Sequence, residues 1–570
     1  MGTNERNDHP TFPSPFDFHA REPVTLVELR MRTLSGMIRH KPRWWEKVLD
    51  DQLVAKWRAE MVEYDDARIT RAEEWDEDED EDYEGRTSWP RDALTDAQLH
   101  YIFAELKYVA RERDEKTGIH ATSVPGVYQS ASLIPVDLRT ALVWGVAVLE
   151  DVPEEEKDWH PGSKCQVLDL VHPSLYCFRI GKTLVQSDEE HRLPGTTALA
   201  SYSLKEYLAG RDDFENIEYD LGNIISRNFQ WLPTVFAVSE DGEVEQKGYI
   251  NNLHPVKHAS LYHTITSLLQ QFIPMFEKVL SDAASPELKR VIDVDVFEWY
   301  SHLSDRNYDD EDYQEWKENR WPRIPDPPSF VPPTDEDRVH VSLKGRQIRV
   351  IVKLANIILT PEKPSYPGGS WHVEGMANEK IVATGLYYYA SENITESRLA
   401  FRVQVGTDPD CVDMEYQHDD YQGWRAAFGF SGGDPLNQEL GHIVAEEDKC
   451  VAFPNIYQHR VEPFELSDHS RPGHRKILAF FLTDPFAVVQ STDMVPPQQR
   501  EWYLTEMERV AALHELPREL FDIITDYALE GTITRADAEA DREKLMNERR
   551  RFVVQHNRQV FEVNFSLCEH

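Results

Sequence analysis

His372 and Glu374 stand two residues apart in "GGSWHVEGMANEK", and their types and spacing suit a metal ion. An imidazole nitrogen and a carboxylate oxygen both ligate divalent cations. On a strand, residues i and i+2 point the same way, so the two side chains can reach one ion. A second histidine from elsewhere would complete three ligands on one face of an octahedron and leave the opposite face open to reactants. The pair alone is a common pattern: 22 histidines in so acidic a chain give roughly four His-X-Asp/Glu triplets by chance. Two occur. The other, His418-Asp419-Asp420, sits in polar "EYQHDDYQGW", which reads as a surface loop, whereas "HVE" lies between two β-rich runs.

The segment "CVAFPNIYQHRVEPFELSDHSRPGHRKILAFFLTDP" supplies the missing histidine. An apolar strand leads into Pro454-Asn455, His459 follows, then a polar loop, then a strand with Arg475 at its start. This order resembles the second half of the double-stranded β-helix of Fe(II)/2-oxoglutarate oxygenases, where the distal histidine stands in an "H-x-V-x-P" context. The resemblance implies that His372, Glu374 and His459 hold Fe(II), with 2-oxoglutarate and O2 on the open face. It also implies that Arg475 anchors the far carboxylate of 2-oxoglutarate, a task suited to a planar guanidinium fork. Two departures stand out. The carboxylate is Glu where Asp is commoner, and the interval from His459 to Arg475 is longer than usual. Arg471 is therefore a rival anchor, although it precedes Pro472-Gly473 in a turn.

Other polar residues fall near this site in sequence. Tyr387, Tyr388 and Tyr389 follow the pair on a strand, so either Tyr388 or the Tyr387/Tyr389 pair lines the pocket, for cosubstrate or substrate, unless all three are core. Asn378 and Arg402 are candidates for the same contacts, or for closing turns. His254 and His258, four apart in "LHPVKH", lack the glutamate of a zinc-protease helix and read as structural. His160 and His172 each precede a proline and read as turn residues. There is no phosphate-binding glycine loop, nucleophile elbow or dinucleotide fingerprint.

The elements that must position these residues change character along the chain. Residues 24–62 carry apolar residues three and four apart, broken by Pro42, and predict two helices. Thr95 predicts the N-cap of another. Glu73–Arg86 is a like-charge run expected to be solvated or disordered. A mixed region follows, with a helix in "SLIPVDLRTALVWGVAVLEDV", strands joined by turns, a hairpin at Asp241-Gly242 and a long helix over about 259–282. "RWPRIPDPPSFVPPTDEDR" is too proline-rich for a helix or central strand. Evenly spaced short β-rich runs come next, the pattern of a sandwich or barrel. Helical pattern returns from 496.

The expected organisation is an N-terminal helical region (1–115), a mixed α/β region (116–319), a linker (320–338), a β core (339–490) and C-terminal helices (491–570). The fold class is α+β, with a double-stranded β-helix (jelly-roll, cupin-like) core flanked by helices. Across residues 24–500, stretches such as "PRWWEKVLDDQLVAKWRAE", "VLDLVHPSLY", "YINNLHPVKHASLY" and "GGSWHVEGMANEKIVATGLYYY" resemble a mainly fungal family catalogued as domain of unknown function 4246, a name that carries no activity.

The net charge of −41, with 102 acidic against 61 basic residues, repels phosphate backbones and argues against general nucleic-acid binding. Five cysteines without a CxxC suggest neither a disulfide framework nor a thiolate zinc site. No apolar run predicts a membrane span and no signal peptide is read, so the cytoplasm, or the nucleus, is the expected compartment. The sequence reading is an Fe(II)- and 2-oxoglutarate-dependent oxygenase acting on a small molecule or a protein. The alternatives are a non-catalytic cupin-like scaffold and a metalloenzyme that does without 2-oxoglutarate.

Overall fold

Thr25 opens the first helix: its hydroxyl accepts the Glu28 backbone N–H, and α1 (Leu26–Arg39) follows. Leu26, Val27, Met31, Leu34 and Ile38 recur at helical spacing and are buried. The helical pattern breaks around Pro42, as expected, and resumes in α2 (Asp51–Asp76). Thr95 caps α3 (Asp96–Glu112) through the Gln98 N–H, also as expected. The computed structural model describes residues 9–16, 21–76, 88–186, 199–209, 224–285, 290–304, 306, 312–334, 338–406, 416–417 and 420–567. The acidic run enters α2 at Glu73–Asp76, and its remainder lies outside the described residues.

These helices are joined by a buried ion pair. Arg30 Nη1 lies 3.0 Å from Asp65 Oδ1, with both side chains fully buried. Asp65 also accepts from Trp89 Nε1 and the Leu94 N–H, and Arg30 donates to Asp92 O and Gln98 Oε1. Removing one member of such a pair strands the other charge. Asp65→Ala is therefore expected to cost about 3–5 kcal/mol, read as lost hydrogen-exchange protection across 26–39 and 96–112. Unchanged protection would show that the pair contributes nothing to this region.

Fourteen strands matter for the site. They are β1 (His120–Ala121), β2 (Tyr128–Ser130), β3 (Val167–Val171), β4 (Thr234–Val238), β5 (Val244–Gln246), β6 (Arg346–Leu359), β7 (Ser365–Tyr366), β8 (Ile381–Glu392), β9 (Arg398–Gln404), β10 (Asn437–Val444), β11 (Cys450–Pro454), β12 (Gln458–Val461), β13 (Phe464–Glu465) and β14 (Gly473–Thr483). One nine-stranded antiparallel sheet runs β1-β2-β11-β8-β14-β6-β4-β5, with β3 also on β6. A smaller sheet runs β10-β9-β12, and β7 pairs with β13. The β4–β5 hairpin turns at Asp241-Gly242, as its sequence predicts; Gly242 has φ +88°, a conformation that favours glycine.

Strand alternation sorts the side chains of the large sheet. Val350, Val352 and Leu354 of β6 face outward, under α4 (Val136–Glu150) and α5 (Ala259–Ala284). Phe272 of α5 meets Phe480 of β14 with ring centroids 5.4 Å apart. Gly385 of β8 permits this approach: a Cβ there would stand 2.8 Å from Phe272 Cδ1. Ile351, Tyr388, Phe453, Ala479 and Phe481 face inward and pack on Leu399, Phe401, Leu440 and Ile443 of the small sheet. The molecule is thus α+β with a large antiparallel sheet, and its second core lies between two sheets.

Helix α6 (Arg535–His556), opened by a Thr534–Asp537 capping box, contributes Leu545 to this core. Residues 320–334 form no regular element; Phe330 there rests on Tyr101 and Tyr108 of α3. Among the described residues no helix is long and apolar enough to cross a membrane.

Candidate metal centre

His372 and His459 are brought side by side by the backbone. Each residue's N–H donates to the other's carbonyl, at 3.2 and 3.0 Å, an antiparallel bridge that puts both side chains on one face. Their ring centroids are 4.5 Å apart. Glu374 does not continue a regular strand, contrary to the i, i+2 reading. It sits in a bend before Gly375, whose φ is +75°. Asn455 holds the bend: its Oδ1 accepts the Glu374 N–H at 2.8 Å, and its Nδ2 donates to the carbonyls of Glu374 and Ile381. The sequence showed Asn455 only as part of a Pro-Asn turn signal.

Glu374 Oε1 lies 3.8 Å from His372 Nε2 and 3.4 Å from His459 Nε2, and the three donor atoms fall within 4.8 Å of one another. Both separations exceed an ordinary hydrogen bond. Ligands held ~2.1 Å from one ion at right angles stand about 3 Å apart, so the gap has the scale of a cation. His372 Nδ1 donates to the Ser370 carbonyl at 2.8 Å, which fixes the tautomer and turns the Nε2 lone pair toward Glu374. Burial, reinforced by His459, pushes His372 down to about 4 against the pull of Glu374. Burial alone would raise Glu374, but His459 and His372 outweigh it and hold the carboxyl at about 2. A neutral imidazole beside an ionised carboxylate is the state in which both can ligate.

Arg475 faces the same interior. On β14 it alternates with Ile477, Ala479 and Phe481, all of the inner core. Its side chain is buried, its Nη1 donates to Ser397 Oγ, and its Nε has no partner. The rings of Tyr388 and Phe464 lie 5.4 and 5.3 Å from Cζ. Among the described residues Arg475 forms no ion pair, and burial lowers its pKa. Arg471, the rival anchor, is an exposed turn residue paired with Asp468.

Residues 96–506 match the family model described as "Protein of unknown function (DUF4246)", and residues 2–60 match "Domain of unknown function DUF4246, N-terminal". The chain belongs to the DUF4246 family. No curated protein matches it. Solved structures that match include IDO from Bacillus thuringiensis, at 11% identity and TM-score 0.15 over 24% of this chain. The chain spans about half, 47%, of that protein. Others are the Fe(II)/(alpha)ketoglutarate-dependent dioxygenase TqaL (10% identity, TM-score 0.22, 46% of this chain and 71% of that one) and the dioxygenase for auxin oxidation of rice (12%, 0.22, 68% and 80%).

The remaining sequence candidates in this DUF4246 protein are placed away from the triad. Tyr387 and Tyr389 face the outer helices, with hydroxyls on Asp448 and Asn356, because the register turns Tyr388 inward instead. Asn378 brackets a loop, accepting the Ser226 N–H and donating to Ser226 O and Tyr207 Oη. Arg402 lies on the outer side of β9, bonded to Gln458 and Glu562 and stacked over Trp371. His418 of the second triplet lies outside the described residues. Asp420 is buried, not on a surface loop, and caps the helix Tyr421–Phe428.

His254 accepts the Val256 N–H in a turn, as its structural reading predicts. His160 and His172 each open a turn, as read, their carbonyls accepting the Ser163 and Leu175 N–H groups; they also meet at Asp169, a grouping the sequence reading missed.

Asn455→Ala leaves two backbone groups at Glu374 without their partner. Loss of such an orienting contact typically weakens metal binding 10–100-fold. The expected result is a Mn(II) Kd raised by about that factor with the protein still folded. An unchanged Kd would mean that the bend holds without Asn455.

Proposed function

We propose that the protein is an Fe(II)- and 2-oxoglutarate-dependent oxygenase built on a double-stranded β-helix. The strand order supports the fold. Of the strands from β6 onward, β6, β8, β11 and β14 lie in the large sheet, β9, β10 and β12 form the small sheet packed on it, and β7 pairs with β13, so the chain winds between two sheets. The triad stands where β12 meets the segment before β8.

The observation that carries the activity is Arg475. A guanidinium cannot shed its proton in a protein, and an unpaired buried charge costs several kcal/mol. Its placement in the interior that also holds two histidines and a carboxylate calls for a carboxylate-bearing ligand there. Among metal-site cosubstrates, 2-oxoglutarate has the right chemistry: a 2-oxo acid end for a metal and a second carboxylate for an arginine. A scaffold supplies no ligand to complete this charge, and a metalloenzyme without 2-oxoglutarate would need another carboxylate-bearing ligand at the same place.

His372, Glu374 and His459 would hold the ion. Bound there, iron supplies activation of O2 coupled to conversion of 2-oxoglutarate to succinate and CO2. The chain's own residues do the rest. Ser370 and Asn455 orient the ligands, Arg475 fixes the cosubstrate's far end, and the apolar walls around Tyr388 and Phe481 exclude water. The test is Fe(II)-dependent succinate release from 2-oxoglutarate by the purified full chain. Protein that binds no Fe(II), or succinate release indifferent to Fe(II), would overturn the assignment.

A further inference from the structure

Outside the triad, one cluster of chemically capable side chains lines the same interior. Residues 157–160 pair with β3: the Asp169 N–H donates to Asp158 O, and the His160 N–H to Val167 O. Asp169 stands opposite Ala355 of β6. Alternation puts Ala355, like Ile351, on the inner face, so Asp169 and His160 share the face of Arg475.

The hydrogen bonds set the state of each ring. His160 Nδ1 lies 2.8 Å from Asp169 Oδ2, so it carries the proton and Nε2 keeps its lone pair. His172 Nδ1 accepts the Ser174 N–H, which leaves the proton on Nε2, 4.0 Å from the same carboxylate oxygen. Asp169 is buried and its Oδ1 has no partner. This differs from the triad. There the donor atoms stand at ion-sized separations and Ser370 turns the His372 Nε2 lone pair inward; here a carboxylate at hydrogen-bond distance orients an imidazole, and the second ring offers a proton rather than a lone pair. This geometry is that of a His–Asp pair rather than of ligands spread around an ion. His160 keeps about a quarter of its side chain open (27%), and no protein atom engages its Nε2 among the described residues.

Helix α6 touches the segments that carry both clusters. Its Arg542 binds Asp158 at 2.7 Å and acts electrostatically on His172. Its Arg549 binds Glu379, stacks on Trp231 and acts on Glu374. Lys353, also inward on β6, acts on both clusters.

We infer that His160, held by Asp169, is a substrate-binding residue: a hydrogen-bond acceptor on the inner face that also carries Arg475, beside helix α6. It selects a small molecule that carries a hydroxyl or amine N–H remote from the carbon presented to the metal. The inference rests on the oxygenase reading for what happens at the far end.

The test uses 15N-histidine-labelled full-length protein. With Zn(II) bound, long-range 1H–15N spectra should show His160, assigned by its loss in His160→Ala, as the Nδ1–H tautomer. In Asp169→Asn it should become a tautomer mixture. Mn(II) in place of Zn(II) should broaden the His160 signals beyond detection. Metal analysis should give one equivalent in wild type and in Asp169→Asn, and none in His372→Ala. An Nε2–H tautomer, a His160 signal that survives Mn(II), or a second equivalent lost in Asp169→Asn would overturn the inference. If metal binds and His160 behaves as stated while 2-oxoglutarate is not consumed, the oxygenase reading fails and the subsite stands.

Discussion

His372→Ala is expected to lower Fe(II) affinity by at least about 100-fold and to abolish metal-dependent succinate release. The factor exceeds the 10–100-fold typical of groups that only orient a ligand, because one of three donor atoms is lost outright. The fold should survive, since the backbone bridge of His372 to His459 does not depend on its side chain. Far-ultraviolet circular dichroism should therefore be unchanged while metal content falls. Glu374→Asp gives a finer reading of the same site. Asn455 clamps the backbone on both sides of residue 374, so the shorter side chain cannot follow the ion by moving the chain. Its carboxylate withdraws by roughly 1–1.5 Å, and Fe(II) affinity should fall about tenfold, less than for alanine. If Asp binds as tightly as Glu, the bend is softer than its hydrogen bonds indicate. If His372→Ala retains full metal content, the triad is not the metal site.

How much of this was legible in the sequence depends on which interactions are local. The helix start at Thr95 was readable because capping involves residues three apart. The hairpin at Asp241-Gly242 was readable for the same reason. The triad could be assembled because "HVE" and "QHRVEP" are short patterns with their own strand context. The inward member of the three tyrosines was not readable. Alternation says only that neighbours face opposite ways, and the register of β8 on β14 and β11 decides which way Tyr388 turns. Arg402 failed likewise, since a one-residue change of phase moves a side chain to the other face of β9. His160, Asp169 and His172 lie in one stretch of chain, yet each His-Pro had a sufficient local explanation as a turn. Their convergence depends on the pairing of residues 157–160 with β3, and of β3 with β6 nearly 200 residues later.

Arg475→Met should separate function from stability in opposite directions. A buried guanidinium with an unpartnered Nε and no counter-charge among the described residues is held against its own solvation preference. Replacing a buried charge by an apolar side chain of similar volume is often neutral or stabilising by about 1–4 kcal/mol. In the absence of 2-oxoglutarate the variant should therefore unfold at the same temperature as wild type or higher. Mn(II) affinity should stay within about twofold, because Arg475 touches none of the three ligands. The KM for 2-oxoglutarate should rise by about 30–100-fold, the 2–3 kcal/mol of a charge-assisted pair. Arg475→Lys keeps the charge but loses the fork and the contact with Ser397, and should fall between the two. A lower unfolding temperature for Arg475→Met would mark Arg475 as a structural residue. An unaltered KM would remove 2-oxoglutarate from this end of the sandwich. Gain of stability together with loss of cosubstrate affinity is the signature of a charge that the fold tolerates because a ligand completes it.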